Sequence, residues 1–109
     1  MTKEIYKARV EIVKAIAHPV RMQIVDVLAK EGSKCVCELE EITETSQSSV
    51  SKHLGHMKKA GLVQSKKEGL NVHYSLRTPC IVNFFSCLDN IIREDIKSRQ
   101  EKLKKMELQ

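Results

Sequence analysis

Residues 36 to 60 most constrain what this chain can fold into, because two short amphipathic helical patterns there are separated only by Thr43-Glu44-Thr45-Ser46. Cys35 to Ile42 carries Val36, Leu39 and Ile42 on one side and acidic residues on the other; Gln47 to Ala60 keeps Val50, Leu54 and Met57 on one stripe. Two such helices joined by a turn too short for a third element must cross and pack on each other. Ser46 is the N-cap candidate for the second, and Gly61 is placed to cap its end.

The flanking segments complete a mainly α chain with a small β-hairpin, in the order α-α-α-α-β-β-α. Before the central pair, Glu4 to Ala17 shows helical spacing with a broad apolar face. His18-Pro19 restarts the chain into a helix whose inner face is Val20, Ile24, Val27 and Leu28, ended by Gly32. After it, Leu62 to Lys66 and Asn71 to Leu76 read as strands around Lys67-Glu68-Gly69-Leu70, with Lys66 and Lys67 at the hairpin tip. Thr78-Pro79 opens a last helix with an apolar seam of Ile81, Phe84, Phe85, Leu88, Ile91, Ile92 and Ile96, and beyond Lys97 the end is expected to fray.

A helix, a short turn, a second helix and a basic hairpin is the order of a winged helix-turn-helix. The expectation is one domain over residues 1–109, with a DNA-reading part at about 36–77. Its terminal helices, about 4–17 and 79–100, each carry more apolar surface than one chain covers, so they predict a homodimer.

Charge points to the partner. The chain carries a formal +5, and residues 47 to 77 hold six basic side chains against Glu68 alone, while the rest balances at 13 against 13. Focused charge of this kind suits a polyanion more than a solvated face. The face of the second central helix opposite Val50 presents Ser48, Ser49, Lys52, Gly55, His56 and Lys59. Small hydroxyls, an imidazole and lysines allow close approach to the major groove and donate to base edges and phosphates. The candidate contacts are Gln47, Ser48, Ser49, Ser51, Lys52, His56 and Lys59, with Gln47 and Ser48 reading bases, and Lys66 and Lys67 on phosphates. A sequence-nonspecific DNA-compacting protein is the other nucleic-acid reading. His53, beside the apolar stripe, reads as a core histidine, and His73 as structural.

No apolar run approaches the roughly 18 residues of a membrane span, and no apolar stretch of a signal peptide follows the amino terminus. The expected location is the cytoplasm, where four cysteines serve as metal ligands, redox switches or small apolar residues rather than as a disulfide framework. Cys35, Cys37, Cys80 and Cys87 contain no C-x-x-C, and no nucleotide-binding loop or nucleophile-base motif supports an enzyme. Cys80 and Cys87, seven apart, are separated by about 10.5 Å of helical rise and cannot bridge within one helix. Cys87, among aromatic residues and Leu88, reads equally as a buried small hydrophobe.

Together these segments resemble the ArsR/SmtB family of metal- and stress-sensing repressors: Ala17-His18-Pro19-Val20-Arg21-Met22-Gln23-Ile24, Cys35-Val36-Cys37-Glu38-Leu39, Ser46 to Leu54, Ala60-Gly61-Leu62-Val63 and Val72-His73-Tyr74-Ser75-Leu76. The resemblance spans roughly residues 5 to 95. It implies a dimeric repressor on a palindromic double-stranded operator, released by an inducer. Cys35 and Cys37 match the family's C-V-C element, which implies thiolate capture of As(III), Sb(III), Cd or Pb, with no obligatory cofactor. Glu40 stands where the arsenic-repressor form has a third cysteine, so Glu40, Cys80 or Cys87 must complete a site. The histidines of the family's zinc site on the last helix are missing, which makes zinc the weaker candidate. The alternative inducer is an oxidant or reactive sulfur acting on the cysteines.

Overall fold

A computed structural model describes residues 2–108. It forms two compact units that divide between Pro79 and Cys80.

In the first unit, helices α1 (Lys3–Ile16) and α2 (Pro19–Glu31) are followed by a two-residue strand, β1 (Lys34–Cys35). Then come α3 (Val36–Thr43), α4 (Gln47–Lys59) and a hairpin of β2 (Val63–Glu68) and β3 (Asn71–Leu76). The winged helix-turn-helix expected from the sequence is present, with one correction. β1 pairs antiparallel with β3, Lys34 opposite Tyr74 and Cys35 opposite His73, so the wing is a three-stranded sheet in the order β1-β3-β2.

Local chemistry sets the boundaries. Pro19 starts α2, and His18 caps it by accepting the Val20 N–H on Nδ1 at 3.1 Å. Ser46 Oγ accepts the Ser49 N–H at 3.3 Å and so fixes the start of α4. At its other end Leu62 N–H donates to the Met57 carbonyl and Gly61 N–H to the Lys58 carbonyl, with Gly61 at φ +83°: a Schellman termination, as the glycine predicts.

The hairpin differs in register from the sequence reading. Glu68 pairs with Asn71, leaving Gly69-Leu70 as the turn, and Gly69 at φ +63° takes the first central position as in a type II′ turn. Lys66 and Lys67 therefore lie within β2, opposite His73 and Val72, rather than at the tip.

The core is built from Ile16, Ile24, Val25, Leu39, Val50, Leu54, Met57 and Val63, all fully buried. The apolar stripe of α4 thus meets α2, α3 and β2, and its polar face is free. On α1, Tyr6, Val10, Ile12 and Val13 remain exposed.

The second unit is a single helix, α5 (Ile81–Glu107), of 27 residues. Where the sequence reading has the end fray beyond Lys97, the helix runs on to Glu107, with Asp95 and Arg99 paired at 3.2 Å on either side of Lys97. Ile91, Ile92, Ile96, Leu103 and Met106 are exposed along it. Among the described residues no helix is long and apolar enough to cross a membrane.

Candidate nucleic-acid interface and thiol pair

The exposed residues of α4 begin at its amino terminus. Gln47, Ser48, Ser51 and Lys52 are exposed and Ser49 is half-buried, so the small polar face expected from the sequence is open to solvent. His56 and Lys59, also exposed, sit toward the far end, about 13.5 and 18 Å along the helix from Gln47. There they line a cavity with residues of α1 and α2, a setting that the helical wheel alone does not reveal. Lys66 and Lys67 are exposed on β2, and Lys58 Nζ donates to Ser65 Oγ at 2.7 Å, linking α4 to the wing.

His53 is the buried polar side chain of α4, as its place beside the apolar stripe predicts. Its Nδ1 accepts a hydrogen bond from Arg21 Nε at 2.9 Å, and its ring lies 4.4 Å from that of His18. Burial first, then the neighbouring His18 and Arg21, hold its pKa below the ordinary histidine value.

The thiol pair stands where β1 gives way to α3. Cys35 is buried and is the N-cap of α3, while Cys37 is exposed on the first turn. The neighbouring Cys37 thiol, followed by burial, raises the Cys35 pKa, and the Glu38 backbone N–H works against it. The Glu38 carboxylate accepts the Cys35 N–H at 3.1 Å and faces Lys34 Nζ at 3.5 Å. Its pKa is lowered, first by that N–H, then by the Cys35 thiol and by Lys34. A helix amino terminus ordinarily lowers a thiol pKa; at Cys35 the adjacent thiol and burial outweigh the Glu38 N–H.

A cleft of about 250 Å³ brings the pair beside Gln47 at the head of α4 and beside Leu70, Asn71 and Val72 of the wing. The separate groove that Cys37 shares with Glu40 and Ser46 faces the helix-turn-helix turn. Among the described residues no three His, Cys, Asp or Glu side chains gather as a metal-binding group. Cys80 precedes α5 and Cys87 lies on it, both exposed in the single chain.

This architecture can be set against known proteins. Residues 18–65 match the family described as bacterial regulatory protein, arsR family. An HTH-type transcriptional regulator of Methanocaldococcus jannaschii is 36% identical over 94 residues, 86% of this chain and 93% of that protein. The chain belongs to the arsR family.

The arsenical resistance operon repressor of Escherichia coli is 34% identical to this arsR-family chain over 94 residues, 86% of the chain and 77% of the repressor. The fold matches that of a homodimeric winged helix-turn-helix DNA-binding domain from Mycobacterium bovis, with a TM-score of 0.74, 23% identity and coverage of 90% and 93% of the two chains. Its arsR-family relatives are transcriptional regulators and not enzymes.

Proposed function

We propose that this arsR-family chain is a dimeric repressor that binds a palindromic operator and is released when a thiophilic ion is captured by Cys35 and Cys37. The observation that carries the reading is the shared cleft: the thiols, the first residue of α4 and the wing turn line one space. A ligand there alters the seat of the reading helix directly. A coupling of about 1–3 kcal/mol is enough to shift operator occupancy strongly.

Gln47 and Ser48 read base edges in the major groove, Ser49, Ser51 and Lys52 support them, and Lys66 and Lys67 hold phosphates beside the wing. The dimer forms through α1 and α5, whose exposed apolar residues supply the surface. Two thiolates favour trivalent arsenic or antimony, cadmium or lead over harder ions. Glu40, in the same groove as Cys37, is the candidate local third donor, with Cys80 and Cys87 as the thiol alternatives.

Fluorescence-anisotropy titration of candidate palindromes with arsenite, antimonite, cadmium, lead and zinc tests this. Release by a soft ion is expected in the natural chain and not in Cys35→Ser, Cys37→Ser, which still binds operator. Release of that double variant by the same ion refutes the assignment of the pair.

The two thiols lining one cleft also support a second reading, in which an oxidant or polysulfide removes two electrons, the two thiol protons leave and a disulfide or sulfur-bridged linkage forms. Operator release in metal-free buffer, with a linked Cys35–Cys37 peptide by mass spectrometry, selects it.

A further inference from the structure

At the end of α4 remote from the thiols, a cavity of about 320 Å³ is lined by Glu11 and Lys14 of α1, Arg21 of α2, and His56 and Lys59 of α4. Its volume lies at the small end of the range of about 300–1,000 Å³ that small-molecule pockets occupy. We infer that this cavity is an anion site for a phosphate group, carried either by a small phosphorylated molecule or by the DNA backbone.

Charge is the first argument. Lys14, Arg21 and Lys59 are cationic and His56 adds two ring nitrogens, against one carboxylate, Glu11. Glu11 pairs with Lys14 at 3.6 Å, but both side chains are more than two-thirds exposed, at 74% and 69%. Such a pair is weak and an incoming anion displaces it readily.

Preorganisation is the second argument. Arg21 is held from two sides: its Nε donates to His53 Nδ1 at 2.9 Å and one Nη donates to the Ala15 carbonyl at 3.3 Å. A guanidinium carries five N–H donors, so three remain after these bonds, on a group whose position is already fixed. Fixed donors lose little entropy when a phosphate oxygen arrives, and the guanidinium fork matches its geometry.

One feature that would oppose an anion is neutralised. The carbonyls at the end of α4 that would repel it are in part satisfied, since Met57 and Lys58 accept from Leu62 and Gly61.

Occupation would join the last turns of α1 and α4 through one ligand, at the end of α4 opposite the thiol pair. This site is independent of the thiol reading above, and its failure leaves that reading intact.

Isothermal titration of the full chain with inorganic pyrophosphate at low salt tests the inference. Saturable binding, one per chain, is expected. Lys14→Gln should weaken it severalfold and Glu11→Gln should strengthen it, both with unchanged thermal melting. Absence of saturable binding, or equal binding by Lys14→Gln and the natural chain, overturns the site. The source of the phosphate is read from a second titration with DNA present. Competition with duplex DNA, with a salt slope of DNA binding reduced by about one in Lys14→Gln, assigns the cavity to the DNA backbone. Simultaneous binding assigns it to a small molecule.

Discussion

Arg21 donates its Nε–H to the buried Nδ1 of His53, so the first turn of α2 is tied to the inner face of the helix proposed to read DNA. The bond requires a neutral imidazole, since arginine can only donate and a protonated ring has no nitrogen left to accept. With its pKa lowered by burial, His18 and Arg21, His53 contributes stability that is complete above the ordinary histidine value of about 6.5 and is lost as pH falls through the lowered folded value. His56 and Lys52 add to the same repulsion.

Urea denaturation at pH 7.5 and at pH 5 should show this difference. The natural chain loses stability on acidification, and His53→Gln, which keeps an acceptor, loses less. At pH 7.5 the variant should cost about 1 kcal/mol, the scale of one partly conserved hydrogen bond. An identical acid loss in both proteins would assign the pH dependence to other groups.

Glu44 ends α3 in the left-handed region at φ +52° and ψ +42°, a conformation that costs a side chain with a Cβ roughly 1 kcal/mol. Glu44→Gly should therefore raise the melting temperature. Gly61→Ala, at φ +83°, should lower stability by about 1–2 kcal/mol, although its Cβ would meet only Arg77 Nη1, at an ordinary 3.7 Å. Thermal melting of the two variants should thus move in opposite directions.

The helices were legible because their signals are local: the Pro19 start, the Ser46 cap, the Gly61 stop and the Val50, Leu54, Met57 stripe each lie within a turn of what they determine. β1 was not, because a strand of two residues has no period and exists only through Tyr74 and His73, about 40 positions away. The hairpin shifted because Lys66, Lys67 and Glu68 alternate no apolar residue that would fix the register, leaving Gly69 to set it. The continuation of α5 past Lys97 is carried by charged residues with good helix propensity, which an apolar seam does not record. The thiol pair stood in the sequence. Its contact with the wing and the basic cavity did not, since each draws on segments remote in the chain.

Cys35 and Cys37 should differ in reactivity. Cys37 is exposed, whereas Cys35 is buried and its pKa is raised above the ordinary 9.0, first by the Cys37 thiol and then by burial. Brief iodoacetamide treatment at pH 8, read by peptide mapping, should label Cys37 well before Cys35. Soft-ion capture must displace the Cys35 proton, so its apparent affinity should rise with pH throughout the neutral and mildly alkaline range. Thiolate-to-metal absorption at fixed cadmium and increasing pH measures this. A flat profile would mean that Cys35 is not a ligand.

Gln47 and Lys67 should fail in different ways. Gln47, proposed to read bases, opens α4 beside the thiol cleft, while Lys67 lies in β2 opposite Val72, one pair from the turn residues' neighbours Glu68 and Asn71. Gln47→Ala should cost about 1–3 kcal/mol on the preferred operator and much less on unrelated DNA, which narrows the gap between them. Lys67→Ala should weaken both alike and lower the slope of log affinity against log salt by about one, as expected for one lost phosphate contact. Anisotropy titrations at several salt concentrations separate the two. An equal loss on operator and unrelated DNA for Gln47→Ala would remove it from base reading and leave Ser48 as the candidate at the head of the helix.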